Sequence, residues 1–193
     1  MKREKMAYRL KKELDAARYA HTLGVEKTAR EMAEKFGVDE EKAALAGLLH
    51  DCAKCMPLSQ MTKAAKNEKL DPVMKESKAL MHAVAGAHVA QDVYDVHDPE
   101  VLGAIRWHTT GHANMTKLEK IVYLADMSSK ERDWPGVNKL RKLELKDLDL
   151  AMLAALRQTN DFVLSQGKPL DPMSKAAYDE IKAEVDARAA KAW

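Results

Sequence analysis

The stretch Ala43-Ala44-Leu45-Ala46-Gly47-Leu48-Leu49-His50-Asp51 decides how this chain is interpreted, because an apolar run ends there in an imidazole and a carboxylate. Such a run is typical of a buried helix, and it brings His50 and Asp51 to the edge of a hydrophobic core. Burying both groups without a partner would cost roughly several kcal/mol. The pair therefore predicts a cationic partner at this helix end, either an Arg or Lys side chain or a metal ion.

The composition favours one globular domain over residues 1–193, since 46% of the 193 residues are hydrophobic. The net charge of +2, from 32 basic and 30 acidic residues, argues against a nucleic-acid surface and leaves a small anionic substrate open. Residues 1–5 do not resemble a signal peptide, and no apolar run approaches the length of a bilayer span. We expect a cytoplasmic protein without a membrane or nucleic-acid partner, and a homodimer is left open.

The apolar residues recur at spacings of three and four, and Ala, Leu, Lys and Glu dominate, which predicts an all-α fold without strands. Several breaks pair an Asp N-cap with Pro at the first helical position, as in Asp71-Pro72, Asp98-Pro99 and Asp171-Pro172. The predicted helices cover residues 2–15, 17–36, 39–53, 58–68, 72–79, 82–94, 98–109, 115–128, 137–143, 147–166 and 172–190.

Four further His and Asp residues lie at inward positions of other predicted helices. His21 shares a stripe with apolar residues on its helix, His82 opens a helix, His108 ends one, and Asp126 closes the run Ile121-Val122-Tyr123-Leu124-Ala125. A lone histidine of this kind is more often bonded to a carbonyl, and a lone inward Asp usually meets an Arg. Five separate stretches that all bring such groups inward instead favour a metal centre.

Three other features do not belong to the predicted site. His88 lies six residues after His82 and therefore points to nearly the opposite face of the same helix, and His97 lies in a polar break. Cys52 and Cys55 form a Cys-x-x-Cys, but no further zinc ligands and no strand-to-helix setting accompany them. We interpret both as ordinary helical cysteines.

The segments around these residues resemble those of the YqeK-like HD-domain family, the symmetrical bis(5'-nucleosyl)-tetraphosphatases. The resemblance covers about residues 15–175 and rests on RYAHTLGV at 18–25, AGLLHDCAK at 46–54, HAVAGA at 82–87, AIRWHTTG at 104–111 and IVYLAD at 121–126. It implies a single helical bundle around a buried metal centre. It also implies hydrolysis of diadenosine tetraphosphate to two ADP.

Carried over to this chain, the resemblance implies two metal ions, commonly iron, with Asp51 bridging them. The first ion takes His21, His50, Asp51 and Asp126, and the second takes Asp51, His82 and His108. Mixed imidazole and carboxylate ligands suit Fe, Mn, Co or Zn better than Mg. Two such ions can share a water, lower its pKa and direct the resulting hydroxide at phosphorus, so that no side-chain nucleophile is needed.

Donors for the substrate phosphates are expected beside these ligands. Arg18 precedes His21 by three residues and Lys54 follows Asp51 by three, so each shares a helical face with a ligand. We assign catalytic roles to Asp51, Lys54 and Arg18. The predicted substrate-binding residues are Arg18, Lys54, Thr109, His112 and Arg132.

One segment departs from the family pattern. After Asp126 the family continues with a tyrosine and an Ile-Glu-Pro-Gly-like segment, whereas this chain has Met127-Ser128-Ser129-Lys130-Glu131 before Arg132. The change puts base preference and turnover in question and leaves the six predicted ligands intact.

Two alternative functions remain open on the sequence alone. The first is another HD-domain nucleotide phosphohydrolase, such as a nucleoside monophosphate phosphatase, which would share every ligand. The second is a non-catalytic metal-binding helical protein that docks to a partner through its Lys-rich N-terminal helix. Arg18 and Lys54 favour catalysis, since a purely structural metal centre does not require phosphate donors.

Overall fold

The computed structural model describes residues 1–66 and 68–191, and that part of the chain folds into eleven α-helices without a strand, as predicted. None of these helices is both long enough and apolar enough to cross a membrane. The helices are α1 Arg3–Glu13, α2 Ala16–Phe36, α3 Glu40–Leu49, α4 Leu58–Ala64, α5 Pro72–Glu76, α6 Lys78–Tyr94, α7 Pro99–Trp107, α8 Lys117–Ser128, α9 Val137–Glu144, α10 Leu148–Ser165 and α11 Pro172–Ala190.

Short polar side chains begin most of these helices. At each of six helix starts an Asp side chain accepts hydrogen bonds from backbone N–H groups of the first turn, which would otherwise lack partners. Helix α8 begins with a capping box, in which Thr116 and Glu119 each accept from the other's backbone N–H. The N-capping residues with this Asp interaction are Asp15, Asp39, Asp71, Asp98, Asp147 and Asp171.

Helices α2, α3, α7 and α8 pack around one centre, and α2 and α3 form the most extensively packed pair. Gly47 on α3 makes this close approach possible, because a Cβ at that position would lie 3.0 Å from the carbonyl oxygen of Val25 on α2. The side chains of Val25, Leu48 and Leu49 are fully buried in the resulting core. A second, smaller apolar cluster lies between α4 and α6.

Four helices, α3 to α6, have an end that differs from the predicted one by three residues or more. Helix α3 ends at Leu49 and the chain continues in turns through Cys55, so His50 and Asp51 lie in the turn after the helix rather than within it. Helix α6 begins at Lys78, because Ser77 both ends α5 and starts α6, and His82 therefore lies in the second turn rather than the first. Helix α4 ends at Ala64 instead of residue 68, and residue 67 of that prediction lies outside the described residues.

One buried carboxyl group belongs to the packing of α9 rather than to the centre. Glu144 is only 5% exposed, and burial raises its pKa to about 7, although the positive charge of Arg141 acts in the opposite direction. Between about pH 4.5 and 7 the folded protein therefore holds a proton that the unfolded chain releases. The stability that comes from this neutral carboxyl is lost as the pH rises through the folded pKa.

We predict that Glu144→Gln removes this pH-dependent loss. At pH 5 the variant should have nearly the unfolding free energy of the unaltered protein, and at pH 8 it should be more stable by up to about 3 kcal/mol. Urea unfolding at both pH values measures the difference. Glu31→Gln, an exposed change on α2, is the matched control and should give the same small effect at both. An equal effect of Glu144→Gln at the two pH values would contradict the prediction.

Candidate metal centre

The centre is built around Asp51, which is almost fully buried just after α3. Its two oxygens face different helices, because Oδ1 lies 3.0 Å from Nε2 of His82 and Oδ2 lies 3.3 Å from Nε2 of His50. His82 comes from α6 and is fully buried. The Asp51 carboxylate thus lies between the imidazole that precedes it in the chain and an imidazole from α6.

Helices α2 and α8 supply the side of the centre nearer to solvent. Nε2 of His21 lies 2.9 Å from Oδ1 of Asp126, and the same oxygen lies 3.8 Å from Nε2 of His50. The Asp126 side chain is 17% exposed, whereas His50 is completely buried. Asp126 therefore lies at the mouth of the centre and His50 at its floor.

Helices α6 and α7 close the opposite side. Nε2 of His108, directly after α7, lies 3.0 Å from Nε2 of His82 and 3.7 Å from Oδ1 of Asp51. Within the described residues two triplets bring their ligand atoms within 4.8 Å of one another, namely His21, His50 and Asp126, and His50, Asp51 and His108. All six predicted ligands meet in one place, while His50 rather than Asp51 is the residue common to both triplets.

Two of the imidazole rings are fixed by their own helix ends. Nδ1 of His50 lies 2.7 Å from the carbonyl oxygen of Gly47, and Nδ1 of His108 lies 2.7 Å from that of Ile105. A carbonyl at this position accepts the Nδ1 proton, so Nε2 is left with its lone pair directed into the centre. Nε2 of His50 is buried and has no hydrogen-bond partner among the described residues. This orphaned nitrogen beside two carboxylates fits a metal ion.

The protonation states of Asp51, Asp126 and His82 suit metal binding. Burial alone would raise the pKa of Asp51 and of Asp126, but neighbouring histidines hold both well below the usual range, with His50 acting on Asp51 and His21 on Asp126. Burial lowers the pKa of His82 to about 4, so this imidazole is neutral at neutral pH. Ionised carboxylates and a neutral imidazole are the forms in which these side chains coordinate metals.

Three partly exposed cations surround the mouth of the centre. Nη1 of Arg18 donates to Asp51 Oδ2 at 2.7 Å, Arg132 donates to the Asp126 carboxylate, and Nζ of Lys54 lies 3.2 Å from Nε2 of His82. The side chains of Arg18, Lys54 and Arg132 are 28%, 31% and 34% exposed, much more than the buried ligands. Their charges thus lie between the centre and solvent, where an anion would approach.

The other two predicted substrate residues have different surroundings. Thr109 follows His108, and its hydroxyl is buried without a partner among the described residues. His112 packs on the Trp107 ring with centroids 4.6 Å apart, and its Nε2 lies 3.2 Å from Glu119 rather than beside a ligand of the centre.

The histidines and cysteines left out of the predicted site have other surroundings. His88 lies 2.5 Å from a Glu68 oxygen, and the exposed His97 lies 3.0 Å from Asp95. Cys52 and Cys55 are free thiols, the first buried and the second exposed.

Sequence reasoning missed Ser129, whose hydroxyl oxygen lies 3.4 Å from Nδ1 of His21. It also gave no role to Arg141, which binds the backbone of the segment that contains Ser129. The available signal was only indirect, because both residues belong to or contact the segment after Asp126, which lies outside the motifs that carry the resemblance. Helical periodicity carries no information about either contact, since Ser129 lies beyond the end of α8.

Residues 18–130, which contain all six of the clustered His and Asp residues, match the HD domain family, so the chain is an HD-domain protein. A crystal structure from Clostridium acetobutylicum, described as a predicted HD superfamily hydrolase involved in NAD metabolism, is 35% identical and superposes with a TM-score of 0.92. That similarity covers 95% of this chain and 98% of the other.

Two curated relatives are named symmetrical bis(5'-nucleosyl)-tetraphosphatase. The protein from Bacillus subtilis is 38% identical over 93% of this chain and 97% of its own length. The protein from Halalkalibacterium halodurans is 38% identical over 95% of this chain and 99% of its own length. The chain belongs to this family of HD-domain proteins, which confirms the resemblance inferred from its motifs.

We predict that Asp51→Asn loses at least one metal ion per chain relative to the unaltered protein, because an amide is a neutral and weaker ligand. Elemental analysis after dialysis measures the metal content, and far-UV circular dichroism should show that the helices persist. Asp161→Asn is the matched control, since the Asp161 side chain is 69% exposed on α10. Unchanged metal content in Asp51→Asn would remove this carboxylate from the ligand set.

Proposed function

We propose that this protein is a metal-dependent hydrolase that cleaves diadenosine tetraphosphate symmetrically into two ADP molecules. The observation that carries the proposal is the ring of partly exposed cations, Arg18, Lys54 and Arg132, around a buried His/Asp centre. A polyphosphate chain is negatively charged and is therefore complementary to these cations. The names of the curated relatives support the particular substrate and the symmetrical outcome.

The metal ligands we propose are the six residues that the structure brings together. Their imidazole nitrogens and carboxylate oxygens form a mixed ligand set, which favours iron over magnesium, with Mn, Co or Zn as other fitting ions. When bound, two such ions supply Lewis acidity to the phosphate and lower the pKa of an attacking water. The proposed ligands are His21, His50, Asp51, His82, His108 and Asp126.

The reaction adds one water across the central P–O–P bridge, so the leaving oxygen belongs to a nucleoside diphosphate and both products are ADP. Arg18 and Lys54 are placed to neutralise non-bridging oxygens as negative charge builds in the transition state. Burial lowers the pKa of Lys54, although Asp51 opposes this effect. A fixed cation in a partly dry site stabilises such charge more than it would in water.

Arg132 is placed to bind the outer phosphates. Its guanidinium contacts Asp126 at the mouth and presents a planar fork of donors, which suits bidentate phosphate recognition. Thr109 and His112 complete the proposed substrate contacts, the first through its unpartnered hydroxyl and the second through a ring stacked on Trp107. We place the reaction in the cytoplasm, the compartment that contains its nucleotide substrate.

Product analysis distinguishes the proposal from its alternatives. With diadenosine tetraphosphate and added Fe²⁺ or Mn²⁺, we expect ADP as the sole nucleotide product by anion-exchange chromatography. AMP together with ATP would mean asymmetrical cleavage, and a higher kcat/KM for AMP would favour a nucleoside monophosphate phosphatase. Tight metal binding without turnover of either substrate would favour the non-catalytic helical protein.

We predict that Lys54→Gln keeps the metal content of the unaltered protein but lowers kcat for diadenosine tetraphosphate about 100-fold, because the charge acts on phosphate oxygens. Steady-state kinetics and elemental analysis on the same preparation measure both quantities. Lys175→Gln is the matched control, since that side chain is 68% exposed on α11. An unchanged kcat would exclude Lys54 from the reaction, and a parallel loss of metal would make it a support of the centre instead.

A further inference from the structure

The segment Ser128–Arg132, called here the 128–132 loop, begins at the last residue of α8 and passes beside the metal centre. Ser129 in this loop is fully buried, unlike most loop residues, and faces His21 on α2. Glu131 lies against the backbone at Gly24 on the same helix, in space that any Cβ at residue 24 would occupy. The loop is therefore packed directly on the α2 turn that follows His21.

Arg141 on α9 binds the backbone of this loop from the other side. Its Nε donates to the carbonyl oxygen of Ser128 at 2.9 Å, and its Nη2 donates to those of Ser129 at 2.8 Å and Arg132 at 2.9 Å. Its Nη1 donates to Asn138 on its own helix at 2.9 Å. A planar guanidinium that serves three convergent carbonyls fixes the path of the backbone between them.

The loop in turn contacts one half of the metal centre. The Ser129 hydroxyl lies 3.4 Å from Nδ1 of His21, and Nε of Arg132 donates to the backbone carbonyl of Asp126 at 2.7 Å. His50 and His108 have carbonyls of their own helix ends at Nδ1. His21 differs, because the group beside its Nδ1 is a side chain of the loop.

We propose that Arg141 is a positioning residue for the metal centre, holding the 128–132 loop so that Ser129 orients His21 and Arg132 orients Asp126. The inference rests on the proposed metal ligands. Partners of this kind fix the tautomer and direction of a ligating imidazole, and their loss weakens metal binding about 10- to 100-fold. The triplet of His50, Asp51 and His108 does not depend on the loop in this way.

Titration of the metal-free protein with Mn²⁺, followed by calorimetry, tests this role without any substrate. We expect two binding steps in the unaltered protein, and Arg141→Gln should raise the Kd of one of them about tenfold and leave the other within twofold. Ser129→Ala should weaken the same step. Arg157→Gln, a 73% exposed arginine on α10, is the matched control and should change neither.

The double variant separates positioning from general destabilisation. If Arg141 acts through Ser129, both substitutions disturb the same contact to His21. The combined effect on Kd should then be smaller than the product of the two single effects. Fully multiplicative effects, or an unchanged Kd in Arg141→Gln, would overturn the inference. If Arg141→Gln does not fold, an unchanged Kd in Ser129→Ala alone overturns it.

The same titration keeps this inference distinct from the proposed function. Absence of Mn²⁺ binding in the unaltered protein would refute the metal centre and the inference with it. Normal Mn²⁺ binding by the unaltered protein, combined with an unaffected Arg141→Gln variant, would refute the positioning role alone. Neither result depends on which nucleotide the enzyme cleaves.

Discussion

The structure depends on the compensation of buried charge at the meeting point of α2, α3, α7 and α8. Asp51 is almost completely buried, and a carboxylate in that position is stable only when cations or hydrogen-bond donors face it. The partners are His50, which precedes Asp51 in the chain, His82 from α6, His108 from the end of α7, and Arg18 from α2. Helix packing and the chemistry of the centre therefore depend on each other. Moving any of these helices would leave a buried charge unpaired.

The existence of the helices and the membership of the centre could be predicted from the sequence because both follow from local patterns. Apolar spacing of three and four placed all eleven helices, and inward stripes on those helices pointed to His21 and Asp126. The helix ends were less predictable. Helix α6 begins earlier than predicted because Ser77 is both the end of one helix and the start of the next. No periodic signal marks such a shared residue.

The contacts around the centre could not be predicted, because they join residues that no sequence period relates. The path of the 128–132 loop depends on carbonyl groups that face Arg141, and backbone carbonyls are common to every residue type. His112 illustrates the same limit. The resemblance implies a substrate contact for this residue but says nothing of its neighbours, and the turn after α7 places its ring on Trp107 and its Nε2 3.2 Å from Glu119.

The two sides of the centre are supported in different ways. His50 and His108 are oriented by carbonyls of their own helix ends, so their geometry follows from the helices themselves. His21 is oriented by Ser129, a side chain that substitution can change without disturbing any helix. The helices therefore fix the orientation of the first two rings, whereas the orientation of His21 depends on the path of the 128–132 loop and can change while the helical core keeps its structure.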